Sequence, residues 1–115
     1  MASPPKYAAI KKTALALPGA HEVLYGGHWF NVGKKTFVLF GDKERRWIFK
    51  LPRDLELMLF ETRPETFSPM IAGRLYWSYV DVQKLRQAEL DHFITMAWRM
   101  VAPKKLQKEL ELKVI

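Results

Sequence analysis

Between Gly27 and Leu51 the chain alternates strand-like segments with short polar loops, and no other feature of the 115-residue sequence restricts the fold as much. Gly27 to Val32 sets Phe30 and Val32 on one face and Trp29 and Asn31 on the other. Gly33-Lys34-Lys35 carries turn chemistry, with a glycine to supply positive φ, and leads into a strand from Thr36 to Phe40. Gly41-Asp42-Lys43-Glu44-Arg45 reads as a second hairpin loop, after which Trp47, Phe49 and Leu51 alternate with Ile48 and Lys50. Loops this short leave room only for antiparallel neighbours, so the three strands form a meander.

Helical periodicity brackets that meander. A first helix is expected from Pro4 to Ala16, capped by Ser3, with Tyr7, Ile10, Ala14 and Leu17 on one face and Pro18-Gly19 as its stop. Pro52 opens a short helix through Leu55, Met58 and Leu59, which Pro64 ends. Thr66 to Gly73, with Pro69 and Gly73, reads as a loop, and Leu75 to Val82 as a fourth strand rich in aromatic and β-branched residues. The last strong helix spans Gln87 to Val101, with Leu90, Phe93, Ile94, Ala97 and Val101 as its apolar face; the tail from Lys104 is expected to add a turn or two or to fray. The order α-βββ-α-β-α, without repeat or linker, predicts one α+β domain over residues 1–115. It would hold a twisted, mainly antiparallel sheet of at least four strands with helices packed on one face.

Several function classes are excluded at this level. Cysteine is absent, which removes disulfide frameworks, thiolate zinc sites and cysteine nucleophiles. The longest uncharged stretch, Val23 to Gly33, is far short of the ~20 residues of a membrane span. Lys6, Lys11 and Lys12 ahead of Ala14-Leu15-Ala16-Leu17 imitate a signal peptide. The apolar piece is shorter than the ~7–15 residues required, so a cytoplasmic location is expected. His21, His28 and His92 lack the i+4 partner that would put two imidazoles on one helical face, so neither metal nor cofactor is expected. Nucleophile elbow, phosphate loop and dinucleotide fingerprint are all missing, and the expectation is a protein without catalytic residues.

Charge is more informative. Nineteen Lys and Arg against twelve Asp and Glu give a net charge of +7, a balance that favours polyanionic partners. The excess concentrates between Lys34 and Arg53, where Lys34, Lys35, Lys43, Arg45, Arg46, Lys50 and Arg53 face only Asp42 and Glu44. Hairpin tips bearing Lys and Arg suit phosphate contact. A second cluster, Arg99 with Lys104, Lys105 and Lys108, already has a structural reason in the helix dipole. Trp29, on the face opposite Phe30 and Val32, is the aromatic best placed to meet a base or a partner.

Leu17-Pro18-Gly19, Tyr25-Gly26-Gly27-His28-Trp29-Phe30, the Val32-Gly33-Lys34-Lys35-x-Phe37 hairpin, Lys50-Leu51-Pro52, Trp77 and Ala97-Trp98-Arg99-Met100-Val101 before Pro103-Lys104-Lys105 together resemble the MmcQ/YjbR family. The resemblance covers about residues 8–106 and implies a CyaY-like (frataxin-like) fold and a double-wing mode of DNA binding. It implies no enzyme activity. Where the family usually carries Ser-Tyr in the last helix, this chain has Ala97-Trp98. The first helix carries lysines instead of the acidic ridge that frataxins offer to iron, so the shared fold does not bring that site with it. Two function classes follow. One is a DNA-binding protein that contacts the phosphate backbone through its basic hairpin loops. The other is a protein-interaction or small-ligand module, a homodimer among its forms, built on the open sheet face around Trp29.

Overall fold

The computed structural model describes residues 3–114. Its strands are β1 (Ala20–Leu24), β2 (Gly27–Val32), β3 (Lys35–Gly41), β4 (Trp47–Phe49), β5 (Phe67–Ala72) and β6 (Leu75–Val80). Its helices are α1 (Tyr7–Leu15), α2 (Arg53–Thr62), α3 (Gln87–Val101) and α4 (Lys104–Val114), with one turn of 3-10 helix at Val82–Lys84. The strands form a single antiparallel sheet in the order β1-β2-β3-β4-β6-β5. The predicted meander is β2, β3 and β4. No described helix is long and apolar enough to cross a membrane.

Alternation along the strands sorts side chains between two faces. The register Phe40–Trp47–Val80–Phe67 and the neighbouring row Phe30–Val38–Phe49 point at the helices. They meet Ile10 and Ala14 of α1 and Leu90, Ile94, Ala97 and Trp98 of α3, all six without exposed surface. In the β2–β3 ladder Phe30 pairs Val38 while Asn31 pairs Thr36, which leaves Phe37 as an extra residue. That bulge turns Phe37 into the core beside Val38.

The structure corrects four expectations. Helix α1 starts at Tyr7, not Pro4, and Ser3 does not cap it. Lys6 occupies the cap position at φ 55, and its Nζ donates to the Leu85 carbonyl at 2.7 Å. The Pro4-Pro5 segment is held from the other side, since the Trp47 indole donates to the Pro5 carbonyl at 2.9 Å. Residues 20–24 form a strand that sequence alternation did not reveal. The order is therefore α-ββββ-α-ββ-α-α, because residues 67–72 are also a strand. Pro69 disguised it, but β5 is the sheet edge, where a missing N–H costs no ladder bond. The tail forms a helix of 11 residues, seated on the core through Leu106 and Leu110.

Polar contacts also tie the elements together. Glu22 of β1 accepts the Tyr7 hydroxyl at 2.6 Å, faces His28 Nδ1 at 3.0 Å and pairs with Lys11 at 3.3 Å. Burial pushes this carboxyl up, but the three partners outweigh it and hold Glu22 below the ordinary carboxylate range. Trp98 donates its indole N–H to the Pro18 carbonyl at 2.9 Å, joining α3 to the turn after α1. Trp98→Phe should therefore lose about 2–3 kcal/mol in urea unfolding with an unchanged slope, since it leaves both a void and an unpaired buried carbonyl.

Candidate functional site

The seven cations of residues 34–53 divide between the two ends of the sheet. β3 runs for seven residues, so the Gly33-Lys34 turn at its start and the Asp42–Arg46 loop at its finish stand roughly 20 Å apart. Lys43, Arg45 and Arg46 belong to the second end. Lys34, Lys35, Lys50 and Arg53 belong to the first, because the Lys50 N–H bonds back to the Phe37 carbonyl near the start of β3.

A fifth cation joins that first end. β6 is antiparallel to β4, so the β5–β6 turn, Gly73-Arg74, projects from the same edge as Gly33-Lys34. Both are two-residue hairpin turns with glycine first, at φ 61 and φ 62, and a cation second. Neither glycine has a neighbouring atom within 4 Å of where a Cβ would sit, so backbone conformation alone requires them. Three strand spacings separate the two tips, roughly 14 Å. Sequence reasoning missed Arg74 because residues 66–73 read as a loop. The usable signal was the repeated glycine–cation pair between two β-rich runs.

Aromatic rings hold several of these cations. Arg53 lies 4.3 Å from the Tyr76 ring centroid and Lys50 lies 5.8 Å from that of Trp77. At the far end Arg46 rests 3.7 Å from the Tyr79 ring and donates to the Ser68 hydroxyl at 3.0 Å, while Arg45 lies 5.0 Å from Phe40.

Beneath Arg53 lies a group no pattern announced. Glu56 of α2 has no exposed surface; its Oε2 accepts the Ser78 hydroxyl at 2.6 Å, and its Oε1 has no hydrogen-bond partner among the described residues. The nearest cation to Oε1 is Arg53, at 3.6 Å. Burial pushes the Glu56 carboxyl up, against the opposing pull of Ser78 and Arg53.

Trp29 stands on the face turned away from the helices, in the row Trp29–Leu39–Ile48–Tyr79. Its indole donates to the Tyr25 carbonyl at 2.8 Å. With Trp77, Met70 and Leu75 it lines an apolar groove of about 520 Å³ over Leu39 and Ile48. Among the described residues no group of three or more His, Cys, Asp or Glu is arranged to hold a metal ion.

The family model described as YjbR matches residues 15–100. No curated protein matches the chain. Among solved structures it is similar to the crystal structure of the Deinococcus radiodurans protein DR2400, a domain of the family DUF419. The two share 18% identity over 89% of this chain and 85% of that one, with a TM-score of 0.69.

Glu56 gives the site a pH signature. A carboxyl raised on folding binds its proton more tightly in the folded state. Stability therefore falls as pH climbs from the ordinary value of about 4.3 through the folded value, and stays lower above it. Glu56→Gln keeps the shape and removes the charge, so its thermal midpoint should exceed that of the wild type at about pH 7 and match it near pH 4.

Proposed function

The chain belongs to the YjbR family, and on that premise we propose that it binds duplex DNA through phosphate contacts made by two hairpin tips at one end of its sheet. It acts as a binding protein and not a catalyst, in the cytoplasm. One observation carries the reading: Lys34, Lys35, Lys50, Arg53 and Arg74 share an edge where the only acidic neighbours in the same turns and helix start are Asp54 and the buried Glu56. Tips roughly 14 Å apart are spaced much like the walls of a major groove about 12 Å wide. Contacts of this kind fix position and carry no sequence information, so the expected affinity is general.

The open-face groove supports a second reading, an apolar partner or ligand seated against Trp29. Trp29→Ala would then abolish concentration-dependent sedimentation or ligand-induced stabilisation while leaving DNA affinity unchanged.

With all five cations on phosphates, log K should fall with log salt at a slope of about −4.5. Lys34→Glu with Arg74→Glu should flatten that slope by about two units and weaken binding of a random duplex at least tenfold, read by fluorescence anisotropy at ~50 and ~200 mM salt. Lys43→Glu with Arg46→Glu changes net charge equally at the far end and should leave the slope almost untouched. Equal losses in both pairs would mean that net charge, not the paired tips, drives binding.

A further inference from the structure

β4 is three residues long and pairs only with Ser78, Tyr79 and Val80, whereas β5 pairs with β6 along its full length. Leu75, Tyr76 and Trp77 therefore extend past the end of β4, where the chain leaves the sheet through Lys50 to Pro52 and enters α2. A cleft of about 510 Å³ opens in the space β4 vacates, a volume suited to a small ligand. Besides the aliphatic Leu51, Leu75 and Met100, three kinds of group line it. Lys50, Arg53 and Arg74 supply positive charge at the mouth, Tyr76 and Trp77 supply ring faces, and Glu56 supplies a carboxylate at the base.

Glu56 is the telling member. A carboxylate buried to this degree is costly unless its oxygens are bonded, and Oε1 has no hydrogen-bond partner among the described residues. The half-exposed Arg53 stands 3.6 Å from that oxygen and is drawn the other way, onto Tyr76. Glu56 already lines the cleft, and with Arg53 turned aside its Oε1 would be free to accept an N–H from a ligand.

We propose that this cleft binds a nucleotide whose base presents adjacent N–H donors, guanine in particular. Each component meets a matching part of the cleft. The phosphate meets Arg74 and Lys50, the base plane meets the Tyr76 ring on the Glu56 side of the sheet, and the N1–H and N2–H of guanine meet Oε1 of Glu56. Adenine offers one donor beside an acceptor nitrogen, which a carboxylate repels. The inference rests on the phosphate-binding reading of this end and deepens it, since the same cations would lead an unpaired guanine of a nucleic acid into the cleft.

The test is titration of the intact protein with guanosine 5′-monophosphate and adenosine 5′-monophosphate, followed by the backbone amide shifts of residues 75–77. Guanosine monophosphate should bind at least about tenfold more tightly than its adenosine counterpart, and Glu56→Gln should erase that preference. Arg74→Ala, on an exposed turn, should weaken both nucleotides severalfold, and guanosine without phosphate should bind at least about tenfold more weakly than the monophosphate. Equal affinity for the two bases, an unchanged preference in Glu56→Gln, or no shift at ~10 mM nucleotide would each overturn the proposal. Duplex binding separates this reading from the one before it. Glu56→Gln should retain full duplex affinity and its salt slope. A protein that bound the nucleotide but no duplex would overturn only the paired-tip reading.

Discussion

A sheet covered by helices on one side must shield its other side with its own side chains, and this constraint organises the molecule. Leu39 and Ile48 lie at the centre of the helix-free face, yet they are only 7% and 2% exposed. Trp29, Trp77 and Tyr79 stand around them and provide the cover that a helix would otherwise give. Large rings used in this way offer their own faces to whatever lies above. Arg46 and Lys50 lay their charged ends over two of those faces. The basic character of the surface and the packing of the sheet thus share a physical origin.

Much of the architecture was legible. The meander follows from period-two alternation between glycine-bearing turns, and α3 from an apolar stripe that ends at Pro103. Trp29 could be assigned to the face opposite Phe30 by parity alone. The parts that escaped have identifiable causes. β1 exposes most of its side chains and so lacks the apolar contrast that marks a half-buried strand. β5 holds a proline that an edge position tolerates, and an edge is a property of the whole sheet, invisible within six residues. On α2 the pattern favoured Met58 for the interior, yet Met58 is 51% exposed while Glu56 is fully buried. Tertiary placement decided that exchange, because Ser78 of β6 sits opposite Glu56 and gives its carboxylate one hydrogen bond.

The candidate site was legible only in composition. Counting charges located the basic segment, but a count along the chain does not show that residues 34 and 43 end on opposite sides of the molecule. Nor does it show that Arg74, four decades of sequence away, lies beside the first. Strand order and register supply both facts. The departure at Ala97-Trp98 has a packing explanation: both residues are fully buried, and the indole N–H supplies a hydrogen bond within the core.

The position of β6 has a kinetic consequence. Strands β1 to β4 pair with their sequence neighbours, as do β5 and β6, so each group can form early from local contacts. The seam between them is different: it joins residues about thirty positions apart through only three residue pairs. Docking of the β5–β6 hairpin onto β4 is therefore the natural late step in assembly, and its separation the natural first step of partial opening. Amide exchange should record such opening at residues 47–49 and 78–80 before the rest of the sheet. Because the cleft and the second tip both lie along this seam, a ligand bridging it would act as a staple, slowing exchange there more than anywhere else in the fold.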